Sequence, residues 1–243
     1  MIGPTKRRVR PRFYVGMALL LIVLAVAGFW PQYYGPLLTG GELQLSHWAV
    51  HVHSSIFLVW LVLFLSQAAI VERRLTPLHR RLGPLIAAYG FAVAVMGVYA
   101  GLVLAARWVE IGRGLDRAAT FAFAPLIDML MFAGFLAVAV AARNRPEAHK
   151  RLMFMATFSI ALVGVGRLVS RIPIIGFEDR WLWVPIMLAP LLIGMGYDLV
   201  TRRRVHTVYF IALPLYVLRL NQDFFTETEA WLSIGRPLVR IFI

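Results

Sequence analysis

Long apolar runs separated by short polar breaks set the pattern of this chain. Residues 13–30, 46–71, 82–106, 118–142, 151–170 and 181–200 are each close to the length of about 20 apolar residues that crosses a hydrocarbon core. They predict six membrane-spanning helices joined by short turns. A shorter apolar run at 208–218, interrupted by Pro214, predicts a seventh, short span, with a segment lying in the interface as the alternative. Thr226-Glu227-Thr228-Glu229 has the form of a capping box that opens a last helix. Beyond it Trp231, Ile234, Leu238 and Ile241 fall on one side and Arg236 and Arg240 on another, so 226–243 reads as an amphipathic interfacial tail that Pro237 should kink or break. The expected fold is an all-α integral membrane bundle of six or seven transmembrane helices, forming a single domain over 1–243. A basic tail at 1–12 precedes the bundle at 13–220. Ala25-Val26-Ala27 would suit a signal-peptide cleavage site, but 13–30 is read as the first span.

Polar positions inside the apolar runs are few, and four of the six histidines lie within residues 47–83. At 100° per residue His47, His51, Ser54 and Ser55 share one face of the second span, while His53, Trp60 and Gln67 line nearly the opposite one. Unpartnered polar groups in lipid cost several kcal/mol each. A helix polar on both sides is therefore expected among other helices, which places the second span at the centre. Gly97 and Gly101 form a small-residue packing face on the third span. Pro77 to Leu82 and Pro146 to Leu152 form a loose repeat whose histidines, His79 and His149, stand seventy residues apart. Asp128, near the middle of the fourth span, and Arg167, near the end of the fifth, suggest an intramembrane ion pair. A proton or ion path through Asp128 is the functional alternative.

Composition sharpens the class. Of 243 residues 60% are hydrophobic and 15% charged, against about 45–50% and about 25% in soluble domains. Cysteine is absent, which excludes disulfides, thiolate metal sites and covalently attached c-type haem. The formal charge of +13 would suit nucleic acid until the charges are placed. Sixteen Lys and Arg residues fall in the tail and alternate turns, against five in the opposite loops. This is the positive-inside pattern: a bacterial inner membrane, the N-terminus cytoplasmic, and anionic lipid headgroups rather than nucleic acid at the basic face.

The histidines are the candidate chemistry. His47 and His51, one turn apart, have the spacing of a helical metal pair, with His53 near and Glu42, Asp116 and Met96 as possible further ligands. His79, His149 and His206 each open a helix at the basic face, where two could hold haem b or three a transition metal. Capping or headgroup contact is the plainer reading. No Gly-x-Ser-x-Gly, His-Glu-x-x-His or phosphate-loop motif is present.

Residues His51-x-His53, Trp60, Gln67, Leu78-His79-Arg80-Arg81-Leu82-Gly83 and Pro146 to Met153 resemble a group of uncharacterised bacterial multi-span membrane proteins, over roughly residues 45–220. The resemblance implies an inner-membrane helical bundle and no established activity. His149-x-x-x-Met153 is also similar to small membrane proteins linked to cytochrome oxidase assembly. Membrane b-type cytochromes are a looser likeness: they pair histidines across facing helices, whereas His47, His51 and His53 share one helix. The leading functional expectation is a non-enzymatic membrane subunit or accessory protein, possessing partner membrane subunits, of a respiratory or other electron-transfer complex. A haem- or metal-binding redox protein comes second and an ion-coupled transporter using Asp128 third.

Overall fold

The computed structural model describes residues 12–41, 47–173 and 179–243, and all regular structure among them is helical. Helix α1 (Phe13–Phe29) continues through a π-helical stretch (Trp30–Tyr34) into α2 (Gly35–Thr39). There follow α3 (Trp48–Glu72), α4 (Thr76–Glu110), α5 (Leu115–Ala141), α6 (Pro146–Val169), α7 (Arg180–Met187), α8 (Ala189–Arg202), α9 (Thr207–Leu220), α10 (Asp223–Thr226) and α11 (Glu229–Arg240). Five helices are long and apolar enough to cross a bilayer, and α7 taken together with α8 passes the same test as a sixth, so the fold is a multi-pass helical bundle of five to six such segments. That sixth span is broken: its halves meet at 66°, with Pro185 and Pro190 flanking the break and removing backbone donors. Glu42 and Glu178 lie outside the described residues.

The basic turns gather at one end. Arg12, before α1, pairs with Glu72 at the end of α3 (2.7 Å), and Arg202, at the end of α8, reaches Glu147 at the start of α6. The opposite, far end is tied by Arg171 to Gly28 and Gln32, Arg180 to Asn221 and Asp223, and Arg236 to Asp116. Helix α9 has only 14 residues, about 21 Å at 1.5 Å per residue. It nevertheless starts beside Asp198 at the basic end and finishes beside Arg180 at the far end.

The central helix is α6, not α3. Of its most apolar stretch 72% is buried, against 17% for α3. The expectation failed because several polar groups of α3 find partners without being surrounded, although His53 Nδ1 and the Gln67 amide do not. Ser66 bonds back to the Val62 carbonyl (2.8 Å), His47 caps the helix, and Trp60 alone reaches deep, donating to Thr157 (3.3 Å). Helix α6 is instead lined by Ala156, Ser159, Ala161 and Gly164, which admit close neighbours on several sides. A Cβ added at Gly28 of α1 would collide with the Gly164 carbonyl, and one at Gly164 would lie 2.8 Å from the Ala25 Cα. The Gly97–Gly101 face packs as expected, against Met129 with Phe57 and against Pro125.

The C-terminal helix starts later than the capping box predicts. Thr226 closes α10, Thr228 precedes α11, and α11 runs through Pro237. It lies across α4 and α5, with Leu232, Gly235 and Val239 buried, Ile234 and Ile241 exposed, and Trp231 donating to the Ala119 carbonyl (2.9 Å).

Gly164→Leu should lower the thermal midpoint of the detergent-solubilised protein strongly, because overpacking costs typically about 1–3 kcal/mol and here meets backbone that cannot yield. Gly134→Ala, where nothing lies within 4 Å, should leave the midpoint unchanged or raise it, by up to about 1 kcal/mol in helix propensity. Scanning fluorimetry of the two variants side by side checks both.

Candidate functional site

The outer histidines are divided by the fold. His47 is the N-cap of α3, its Nδ1 accepting from the Ala49 N–H (3.2 Å). His51 Nδ1 meets the Tyr33 hydroxyl (3.2 Å). His53 turns the other way, its ring 4.0 Å from Phe57 and its Nδ1 without a hydrogen-bond partner. Asp116, a suggested helper, is held by Arg236 (2.6 and 3.1 Å). Among the described residues no group of three or more His, Asp or Glu is placed to hold a metal ion, so neither a tri-His set at the basic end nor a triad at the far end is assembled.

At the basic end His79 and His149 do meet. Their ring centroids lie 6.1 Å apart with the planes at 77°. Helices α4 and α6, which carry them, begin at Thr76 and Pro146, the same seventy-residue offset as the histidines. His149 Nδ1 lies 2.8 Å from the Ala139 carbonyl at the end of α5. A carbonyl only accepts, so the proton is assigned to Nδ1 and the lone pair to Nε2. The His79 Nδ1 is buried without a partner, as are both amide atoms of Gln67 on α3.

His206 belongs to a different cluster. Arg151 of α6 and Asp198 of α8 are both fully buried. Arg151 Nε donates to Asp198 Oδ2 (2.8 Å), its Nη2 donates to Oδ1, and its Nη1 donates to the Glu147 carbonyl and carboxylate (2.7 and 2.8 Å). The His206 backbone N–H donates to Asp198 Oδ2 (3.1 Å), and its Nδ1 accepts from Val208 N–H (3.2 Å), capping α9. The plainer reading of His206, a cap at a helix entrance, is the one the geometry supports. Burial, and then the cations of Arg151 and Arg202, push its pKa below the ordinary histidine value.

Asp128 is buried in α5, but its partner is Arg219 at the end of α9, not Arg167. Arg219 Nε and Nη2 donate to the two carboxylate oxygens (2.7 and 2.8 Å), a bidentate clamp that Gln222 steadies at Nη1 (2.9 Å). The pairing with Arg167 fails because Arg167, near the end of α6, packs its guanidinium over Phe29 of α1 (4.6 Å). Asp198 and Arg219 escaped the sequence reading. Both stand near the ends of apolar runs, where a charge ordinarily reaches water, yet Asp198 is fully buried and Arg219 is largely covered where it meets Asp128.

No family model, curated protein or solved structure matches the chain.

Asp198→Ala should destabilise the protein by about 3–5 kcal/mol, since it strips the buried Arg151 of the carboxylate that holds Nε and Nη2 and leaves it Glu147 alone, whereas Arg151→Met with Asp198→Leu should recover most of the loss. Thermal unfolding of the single and double variants measures the difference. The cap at His206 needs a neutral ring, and its folded pKa lies below the unfolded value of about 6.5. Its contribution is therefore present above about pH 6.5 and is lost as pH falls through that value toward the lower folded pKa. His206→Asn keeps a capping oxygen and should flatten the melting profile between about pH 7 and 5 relative to wild type.

Proposed function

We propose that this protein is a cofactor-binding protein of the bacterial inner membrane, holding one transition-metal centre between His79 and His149 at the cytoplasmic end of the bundle. The centre is either a bound ion or the iron of haem b. The observation that carries the reading is the meeting of two imidazoles from different helices, one of them oriented by a backbone carbonyl. Metal-ligating histidines almost always donate their second ring N–H in this way, which fixes the tautomer and leaves the other nitrogen free to coordinate. Two imidazoles bound at about 2.0–2.1 Å to one metal have ring centres about 5–6 Å apart, close to the 6.1 Å found here. Imidazole suits iron, copper or zinc. The cytoplasmic placement is supported by the twelve basic residues at that end among the described residues.

A second reading, a non-enzymatic accessory subunit of an electron-transfer complex, is favoured by α3. Trp48, Val52, Ser55, Val59, Val62 and Ser66 form an exposed stripe at heptad spacing that a partner helix could cover. A transporter using Asp128 is the weakest reading, because both oxygens of that carboxylate are taken by Arg219.

An absorption spectrum and elemental analysis of the purified protein test the proposal. The expected result is a Soret band that moves on reduction, or near-stoichiometric iron, copper or zinc, lost in His79→Ala and in His149→Ala but kept in His47→Ala and His206→Ala. A folded protein that carries no chromophore and binds none of the three metals on titration overturns it.

A further inference from the structure

Among the described residues Arg167 has no acidic partner. Its Nε is buried and has no hydrogen-bond partner, and its one ring contact is with Phe29. It lies within electrostatic reach of Arg171, four residues on. Like charges at this spacing repel, and they do so more strongly where water is scarce. The far-end carboxylates that form ion pairs are committed elsewhere: Asp128 to Arg219, Asp116 and Glu229 to Arg236, Asp223 to Arg180, Glu110 to Arg107. Arg171 is held firmly, donating to Ala27 (3.3 Å), Gly28 (2.7 Å) and Gln32 (2.8 Å), which leaves two of its five N–H groups unused among the described residues.

Beside Arg171 an open groove of about 520 Å³ runs along α1, lined by Ile22, Val23, Val26, Ala27, Trp30 and Pro31, and Arg167 stands one helical turn before Arg171 on α6, over Phe29. From residue 22 to residue 31 is about 14 Å at a helical rise, close to half of the roughly 30 Å hydrocarbon thickness. The groove is thus apolar along its length, about one leaflet long, and positively charged at one end. Trp30, half exposed there, is the residue type enriched at the membrane–water interface.

We propose that this groove is a binding site for one anionic phospholipid, its phosphate between Arg167 and Arg171 and an acyl chain along Ile22 to Pro31. The site lies at the end of the bundle opposite the basic turns, so it is distinct from the general attraction of those turns to anionic headgroups. It stands independently of the histidine centre. Phosphate oxygens would meet the unused guanidinium donors and relieve the repulsion between the two arginines, which a zwitterionic lipid does less well.

The test uses the full chain in nanodiscs of phosphatidylcholine with or without phosphatidylglycerol. The readouts are retained lipid by native mass spectrometry and the thermal midpoint. Wild type should retain one phosphatidylglycerol per chain and melt higher with it, and inorganic phosphate should not reproduce the shift. Arg167→Gln, which removes no hydrogen bond of the fold, should melt no lower than wild type in phosphatidylcholine alone. It should lose the phosphatidylglycerol increment, with occupancy reduced about tenfold or more, as expected for one charge-assisted contact. Val26→Trp, which fills the groove, should lower retention without touching the arginines. Equal retention of the two lipids, an unchanged increment in Arg167→Gln, or an equal shift from inorganic phosphate overturns the proposal.

Discussion

A guanidinium with no exposed surface inside an apolar bundle has no solvent to fall back on, and the arrangement of Arg151 follows from that. Its charge is met by Asp198 and Glu147, with a carbonyl of its own helix taking a further donor. Removing Asp198 would leave the Nε and Nη2 donors buried without an acceptor, so α6 and α8 are bound in register. Asp198 in turn takes the backbone N–H of His206 and so fixes where α9 begins. The second buried pair, Asp128 with Arg219, fixes where α9 ends, against α5. A helix too short to be an obvious span is thereby held along the bundle by one ion-pair network at each end, with Tyr216 donating to the Met155 carbonyl (2.6 Å) between them.

The fold was legible where the signal is local. Apolar runs announced where the helices lie, though the first continues to Thr39, α4 starts at Thr76 and the sixth run is broken in two. The alternation of Arg and Lys announced which turns share an end. What could not be read was which helix stands in the middle. The histidines and serines of α3 suggested a buried helix, yet serine bonds its own preceding turn and His47 its own cap, so neither demands a neighbour. Helix α6 shows its centrality in small residues, a quieter signal than a polar one. Partners distant in the chain were equally hidden. Ninety-one residues separate Asp128 from Arg219 and 47 separate Arg151 from Asp198, and no periodicity links such positions.

The candidate site was half legible. The two copies of the basic, histidine-bearing turn pointed to His79 and His149, and the fold brings those rings together. The same reasoning grouped His206 with them, because its looser copy also follows basic residues. His206 instead lies beside Asp198, since α9 enters the bundle from the end of α8. Histidine at a helix entrance thus plays two parts in this chain. Where Nδ1 faces the free N–H groups of its own helix it caps, as at His47 and His206. Where a neighbouring carbonyl captures Nδ1, as at His149, the ring is turned outward from the backbone of its helix and becomes available to something else.

The crossing of α1 and α6, where Gly28 and Gly164 leave no room for a side chain, bears on how the molecule is made. Helix α1 leaves the ribosome well before α6, since Gly28 meets Gly164 136 residues downstream. At the usual rate of about 5–20 residues per second, synthesis of the intervening chain takes on the order of ten seconds. During that interval α1 has α3 as a neighbour, joined through Arg12 and Glu72, while its Gly28 face waits for α6. Its strongly apolar sequence makes it a stable lodger on its own. Assembly at this crossing therefore waits for the central helix, which follows α1 and α5 out of the ribosome and precedes α7, α8 and α9, its other neighbours.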